Sequence, residues 1–349
     1  MSTHPDSRRL PAGGDAERFR RSAIAVFAGV AVLVALAVVA ASSGRYPLSL
    51  TQIVEGLLHG FARDRAGATA ESVLWQIRLP RIALACLVGA GLSAAGAAFQ
   101  HLFRNPLVAP DTLGVSSGAA LGAVAAIYAG AGTGLAAVAA FGGGLATVTV
   151  VVALAARIET RDPLLTLVLI GVVMGSVMGA AVSLLKFVAD PYNQLPAITF
   201  WLMGSLAAAT WSQVAAAGIA IALALALLGA LSWRIDVLAL PEDEAHALGV
   251  HAPRLRAVVV AAATIATAAG VAVCGIIGWV GLVVPHMARM VAGPAFSRLL
   301  PLAAVFGAIF MLAIDTLART ATAAELPPGI LTAFVGTPLF IVLLARRMS

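Results

Sequence analysis

Lysine is almost missing from this sequence, and charge of either sign is scarce. The 349 residues hold a single lysine, Lys186, and only 11% of them are charged, against about 25% in soluble domains. The lone lysine stands in SLLKFVAD, so no G-x-x-x-x-G-K-[ST] loop exists and the chain has no Walker A cradle for nucleotide phosphates. Any ATPase activity must therefore belong to another chain. Cysteine is nearly as rare: Cys86 and Cys274 lie in separate apolar runs without metal-ligand neighbours and read as small buried residues. His101, His246, His251 and His286 are scattered with no H-x-x-x-H or Cys/His cluster, so no metal site is expected. No serine, histidine and carboxylate stand together in a catalytic pattern, and no catalytic residue is expected either.

What fills the chain instead is hydrocarbon. Hydrophobic residues make up 61% and the mean hydropathy is +0.99, which marks an integral membrane protein. The apolar runs are rich in Ala, Val, Leu and Gly and far exceed strand length, without the alternation of a membrane barrel. An all-α polytopic fold is the consequence, because in lipid a helix satisfies its own backbone. Charges, prolines and polar clusters divide the sequence into ten candidate spans: 22–42, 79–100, 112–130, 132–156, 163–187, 211–232, 255–275, 278–291, 299–318 and 329–345. The eighth is short, and Gly275, Gly278 and Gly281 suggest a broken or tilted element; residues 193–208 read as a re-entrant or interfacial helix. Residues 1–21 form a cytoplasmic tail and 22–349 one transmembrane domain. The first span is read as a helix, not a signal peptide, since SSGRYPLS offers no convincing cleavage site.

Arginine sets the expected orientation. With both termini inside, fifteen of the 22 basic residues fall on the cytoplasmic side and seven outside, which satisfies the positive-inside rule. The high pI is then a matter of topology and calls for no nucleic-acid partner; Arg18, Arg20 and Arg21 suit an anchor on anionic membrane lipid. Residues 76–81, QIRLPR, fall on the arginine-poor outer side, with Pro80 suited to a helix start. Arg78 and Arg81 either snorkel toward headgroups or, with Arg319, form a positive docking surface. Asp315 is the one carboxylate deep in a span, four residues before Arg319; an internally paired structural charge is favoured over a proton relay.

The cytoplasmic loop 233–254 has its own pattern. Pro241 followed by Glu242, Asp243 and Glu244 is a helix start with acids at the positive dipole end, and Gly249 is a stop. A helix of about two turns follows, with Ala245 and Leu248 on one side, as a surface loop or a protein contact.

Taken together, RLPR at 78–81, GAGLSAAGAAFQHLFRNPLVAPDTLGVSSGAAL at 89–121, FWLMGSLA at 200–207, LALPEDEAHALGV at 238–250, GIIGWVGLVVPHMARMVAGP at 275–294 and DTLARTATAAELPPGILTAFVGTPLFIVLL at 315–344 resemble the FecCD-like permeases of bacterial ABC importers for iron chelates, haem and cobalamin. The resemblance implies a ten-helix permease of the bacterial inner membrane, pairing with a second copy. It would work with two ATP-binding subunits that bind ATP and Mg, and with an extracytoplasmic substrate-binding protein; the chain itself carries no cofactor. By the same resemblance, Glu242 to Val250, entered through Pro241, dock in the ATPase. Arg78, Arg81 and Arg319 engage the binding protein through exposed salt bridges, each worth about 0–1 kcal/mol. The fifth span would line the pathway through Gly171, Gly175, Ser176 and Gly179, small residues that also permit close packing. Asn105 and Leu107 would narrow the exit, with Leu164 and Leu165 at the apolar start of that span. The cargo implied is a metal chelate, ferric siderophore first, then haem or cobalamin. The rival from another class is a proton-coupled secondary transporter.

Overall fold

A computed structural model describes residues 13–59, 69–322 and 324–348. Among them every regular element is helical. In chain order these are α1 (Gly13–Ser42), α2 (Leu50–His59), α3 (Thr69–Ser72), a π-helical stretch Val73–Arg78, α4 (Leu79–Leu102), a 3-10 turn Pro110–Leu113, α5 (Val115–Tyr128), α6 (Thr133–Ala155) and α7 (Pro163–Val188). They continue with α8 (Gln194–Met203), α9 (Trp211–Ala230), α10 (Ser232–Val237), α11 (Glu242–Ala247), α12 (Ala252–Cys274), α13 (Val280–Ala292), α14 (Phe296–Thr320) and α15 (Pro328–Met348). Seven helical runs are long and apolar enough to cross a membrane, and α5, α13 and α15 supply shorter apolar helices. The expected tail falls mostly outside the described residues, as do Arg63 and Arg65 of the outer set.

Small residues let the innermost helices approach closely. The apolar windows containing α4 and α12 are each 72% buried, whereas those of α1 and α7 are only 11% and 17% buried. α4 reads AGLSAAGAAF along its centre and packs against α14, α12, α13 and α9. Two glycine crossings make that possible. A Cβ on Gly89 would fall inside the Gly307 carbonyl oxygen of α14, and one on Gly96 inside the Gly281 carbonyl oxygen of α13. Close backbone approach of this kind yields dense packing where lipid offers no hydrophobic drive.

The segment around QIRLPR corrects one expectation. Pro80 does not begin a helix: the chain is helical from Thr69, widens to π geometry over Val73–Arg78 and runs on to Leu102. Proline has no N–H to close an α-helical bond four residues back, to Gln76, and the wider turn lies just before it. Elsewhere the local signals hold. Asp162 accepts from the Leu165 amide at 3.0 Å and precedes Pro163 at the head of α7, and Thr210 with Gln213 forms a reciprocal capping box on α9. The short eighth element is α13, 13 residues preceded by an irregular Gly275–Trp279 link.

Candidate functional site

One end of the bundle gathers the buried charge. Arg81 donates its Nε to both oxygens of Asp315 at 3.0 Å, and its Nη1 to Glu325 at 2.9 Å. Arg78 donates to the carbonyls of Ala41 and Tyr46, and Arg319 to those of Ser43 at 2.6 Å and Ala40. Arg319 also lies 4.0 Å from Asp315. Three arginines thus tie the end of α1, the π-helical stretch, α14 and the Glu325 loop into one knot. This corrects the picture of exposed docking arginines, for Arg78 and Arg81 are 5% and 7% exposed and the Arg319 side chain 9%. The physical reason is the α1 terminus: its last carbonyls have no helical partners, and guanidinium groups satisfy them. Glu325 and Arg45 are exposed charged residues at that end.

The opposite end carries α11. Its helix spans Glu242–Ala247 after Pro241 and ends at Gly249, whose φ of 77° lies in the left-handed region. The Glu242 side chain lies outside the described ones. Ala245 and Val250 are buried, while Leu248 is 51% exposed beside exposed Asp243 and Glu244. Ala245 and Leu248 therefore do not share a side, contrary to the expectation: at a two-turn helix the C-terminal leucine already belongs to the turn. The helix is mounted rather than loose. Arg104 donates to the carbonyls of Leu238 at 2.5 Å and Leu240 at 3.2 Å. Asp236 accepts from the Phe296 amide at 2.6 Å and the Ser297 amide at 3.4 Å, capping α14 from α10. Sequence reading passed over Asp236 because its partners are sixty residues away. Removing the cap by Asp236→Ala should cost about 0.5–2 kcal/mol, with Asp236→Asn retaining most of it; thermal unfolding of the pair would show equal losses if the cap were idle.

The third feature is the free face of α7. Leu165, Leu169, Val172, Ser176 and Gly179 follow one another at helical spacing and are all exposed, with Leu164 and Gly175 half-buried. Gly171 does not join them. It is buried against the Thr112 carbonyl of the 3-10 turn, so its role here is packing. Gly179 has nothing within 4 Å of a would-be Cβ. Leu107 is 52% exposed and Asn105, also exposed, closes the RNPL turn by accepting from the Leu107 amide at 2.9 Å. Trp279, in the left-handed region at φ 70°, packs edge-on to Phe340 and against Gly336 of α15.

This arrangement of a small-residue core, a mounted loop helix and a long uncovered helix face has close counterparts. The model of the FecCD transport family matches residues 31–346. The chain belongs to that family. It is 40% identical to the molybdate import system permease protein MolB of Haemophilus influenzae over 90% of this chain and 93% of that one. It is 42% identical to the cobalamin import system permease protein BtuC of Halobacterium salinarum over 80% and 75%. A solved structure described as an inward-facing conformation of a putative metal-chelate type ABC transporter superposes with a TM-score of 0.84 at 38% identity, covering 92% of this chain and 98% of that one. This FecCD chain is thus a multi-pass membrane protein and the permease of an ABC importer, a transport subunit.

Proposed function

We propose that this FecCD permease crosses the bacterial inner membrane ten times with both termini cytoplasmic, α5, α13 and α15 completing the set with their flanking irregular segments. Two copies face each other across their α7 helices, and a pair of ATPase subunits, holding ATP and Mg, drives them through α11. A binding protein delivers cargo at the Glu325 end, where Arg78, Arg81 and Arg319 shape the surface from beneath. The cargo is a metal chelate, a ferric siderophore first. An uncharged stripe of leucine, valine, serine and glycine along α7 offers a bulky chelate few places to stick. The name of the MolB relative gives a second cargo class, a metal oxyanion, and competition for uptake between the two separates them.

The observation that carries this reading is α11: a short helix between the spans α9 and α12 with Ala245 anchored in the core and Leu248 left exposed. Leu248→Asp should leave the permease folded, yet cut ATP-driven uptake into proteoliposomes by about tenfold or more, since a buried charge in an apolar contact is poorly tolerated. Undiminished uptake would remove α11 from the coupling path. Uptake by the chain alone under a pH gradient would instead favour a secondary transporter.

A further inference from the structure

The α11 end holds a second feature. A cavity of about 900 Å³ opens there, walled by the last turns of α4 and α13, by α10, by the α13–α14 link and by Leu343 of α15. Its polar wall brings together His101, Arg104, His286 and Arg289 against one carboxylate, Asp236. Two arginines, Arg104 and Arg289, face that one carboxylate, so the wall is positive on balance even with both histidines neutral.

One side chain in the floor asks for a partner. Gln100 is 2% exposed and among the described residues its Oε1 has no hydrogen bond, whereas His101 Nε2 lies 3.8 Å from Asp236 Oδ1. Gln100 Nε2 donates to the Leu282 carbonyl at 2.9 Å, which holds Oε1 in place as a fixed acceptor. Buried polar atoms are seldom left without partners. A ligand here would donate to Gln100 and meet the positive charge of Arg104 and Arg289. The rest of the wall is apolar, with Ala239, Pro294, Met290 and Leu343. Beyond the mouth, Met290, Val291, Ile341 and Val342 expose their side chains on α13 and α15.

We propose that this cavity binds the headgroup of an anionic phospholipid. The phosphate sits against Arg289, Arg104 and His101, a headgroup hydroxyl reaches Gln100, and the acyl chains leave across Met290. Basic pockets between membrane helices suit this chemistry, and a volume of this size exceeds what free phosphate needs. Assigning the lipid to the inner leaflet rests on the orientation proposed above; the binding does not, and its test requires no transport.

The full-length permease, purified with its ATPase partner, is relipidated with phosphatidylglycerol or phosphatidylcholine, and retained lipid is counted by native mass spectrometry. Phosphatidylglycerol should be retained roughly tenfold better, as expected for arginines acting on one headgroup. Arg289→Gln and His101→Gln should abolish the preference. Because either could disturb folding, Met290→Glu at the exposed mouth gives an independent arm: it should repel phosphatidylglycerol while the complex stays monodisperse. Inorganic phosphate is titrated against thermal stability in parallel. Stabilisation by phosphate without a lipid preference would move the site to free phosphate and overturn the lipid assignment, as would equal retention of both lipids by every variant.

Discussion

Arg81→Gln should destabilise the permease by about 3–5 kcal/mol, the cost of leaving a buried carboxylate unpaired. Asp315 is 1% exposed, and Arg81 supplies the donors to both its oxygens. Arg319, at 4.0 Å, has its own donors committed to the end of α1 and cannot take over both bonds. The result should be aggregated or poorly expressed protein, read by fluorescence-detected size exclusion and by the midpoint of thermal aggregation. The double variant Arg81→Gln with Asp315→Asn should recover most of the loss, because it leaves no carboxylate buried without a counter-ion. Asp315→Asn alone should fall between them. A single Arg81 variant as stable as the parent would mean that the knot is solvated and not structural. This buried pair is also distinct from a surface ion pair, so the effect should be almost independent of salt.

The second large effect concerns the crossing of α4 and α13. Gly96→Ala places a methyl group where the Gly281 carbonyl oxygen already lies, so the helix backbones must part. Overpacking of this sort costs about 1–3 kcal/mol in a core that can yield, and more where backbone is the obstacle. α13 has little room to yield: Gln100 holds its Leu282 carbonyl, and Trp279 at its head is wedged against α15. Gly278→Ala, a few residues away, is the control, for nothing lies within 4 Å of its new Cβ. Thermal stability of the two variants side by side should show a large loss for Gly96 and almost none for Gly278. Equal losses would point to chain flexibility at glycine as the cause, not to the crossing.

Much of the helical layout was legible beforehand, for a simple reason. Backbone in lipid must close its own hydrogen bonds, so hydrophobic length, proline at helix heads and glycine at helix ends mark boundaries strongly. Pro163, Thr210 and Gly249 each stood where such a boundary lies. The amphipathic α2 and short α10 escaped notice, being too short or too mixed in composition to register as spans. Pro80 misled: the same residue that heads a helix also tolerates a π turn, and only the carbonyls of its neighbours tell the two apart.

The site residues divide along the same line. Local chemistry is enough to show a loop helix after Pro241, a charge inside a span at Asp315 and an apolar, small-residue seventh helix, because each depends on a few consecutive residues. Which side chain meets which depends on contacts across hundreds of positions. Arg81 and Asp315 stand 234 residues apart, and nothing in RLPR announces that its arginines turn inward to close the end of α1. Spacing counted Gly171 with Gly175 and Gly179 as one stripe, whereas packing put Gly171 against a turn and left Gly179 open. Hydropathy and helix punctuation, being properties of neighbours in the chain, placed the long apolar helices; burial of charge and close approach of backbones, being properties of neighbours in space, awaited the folded bundle.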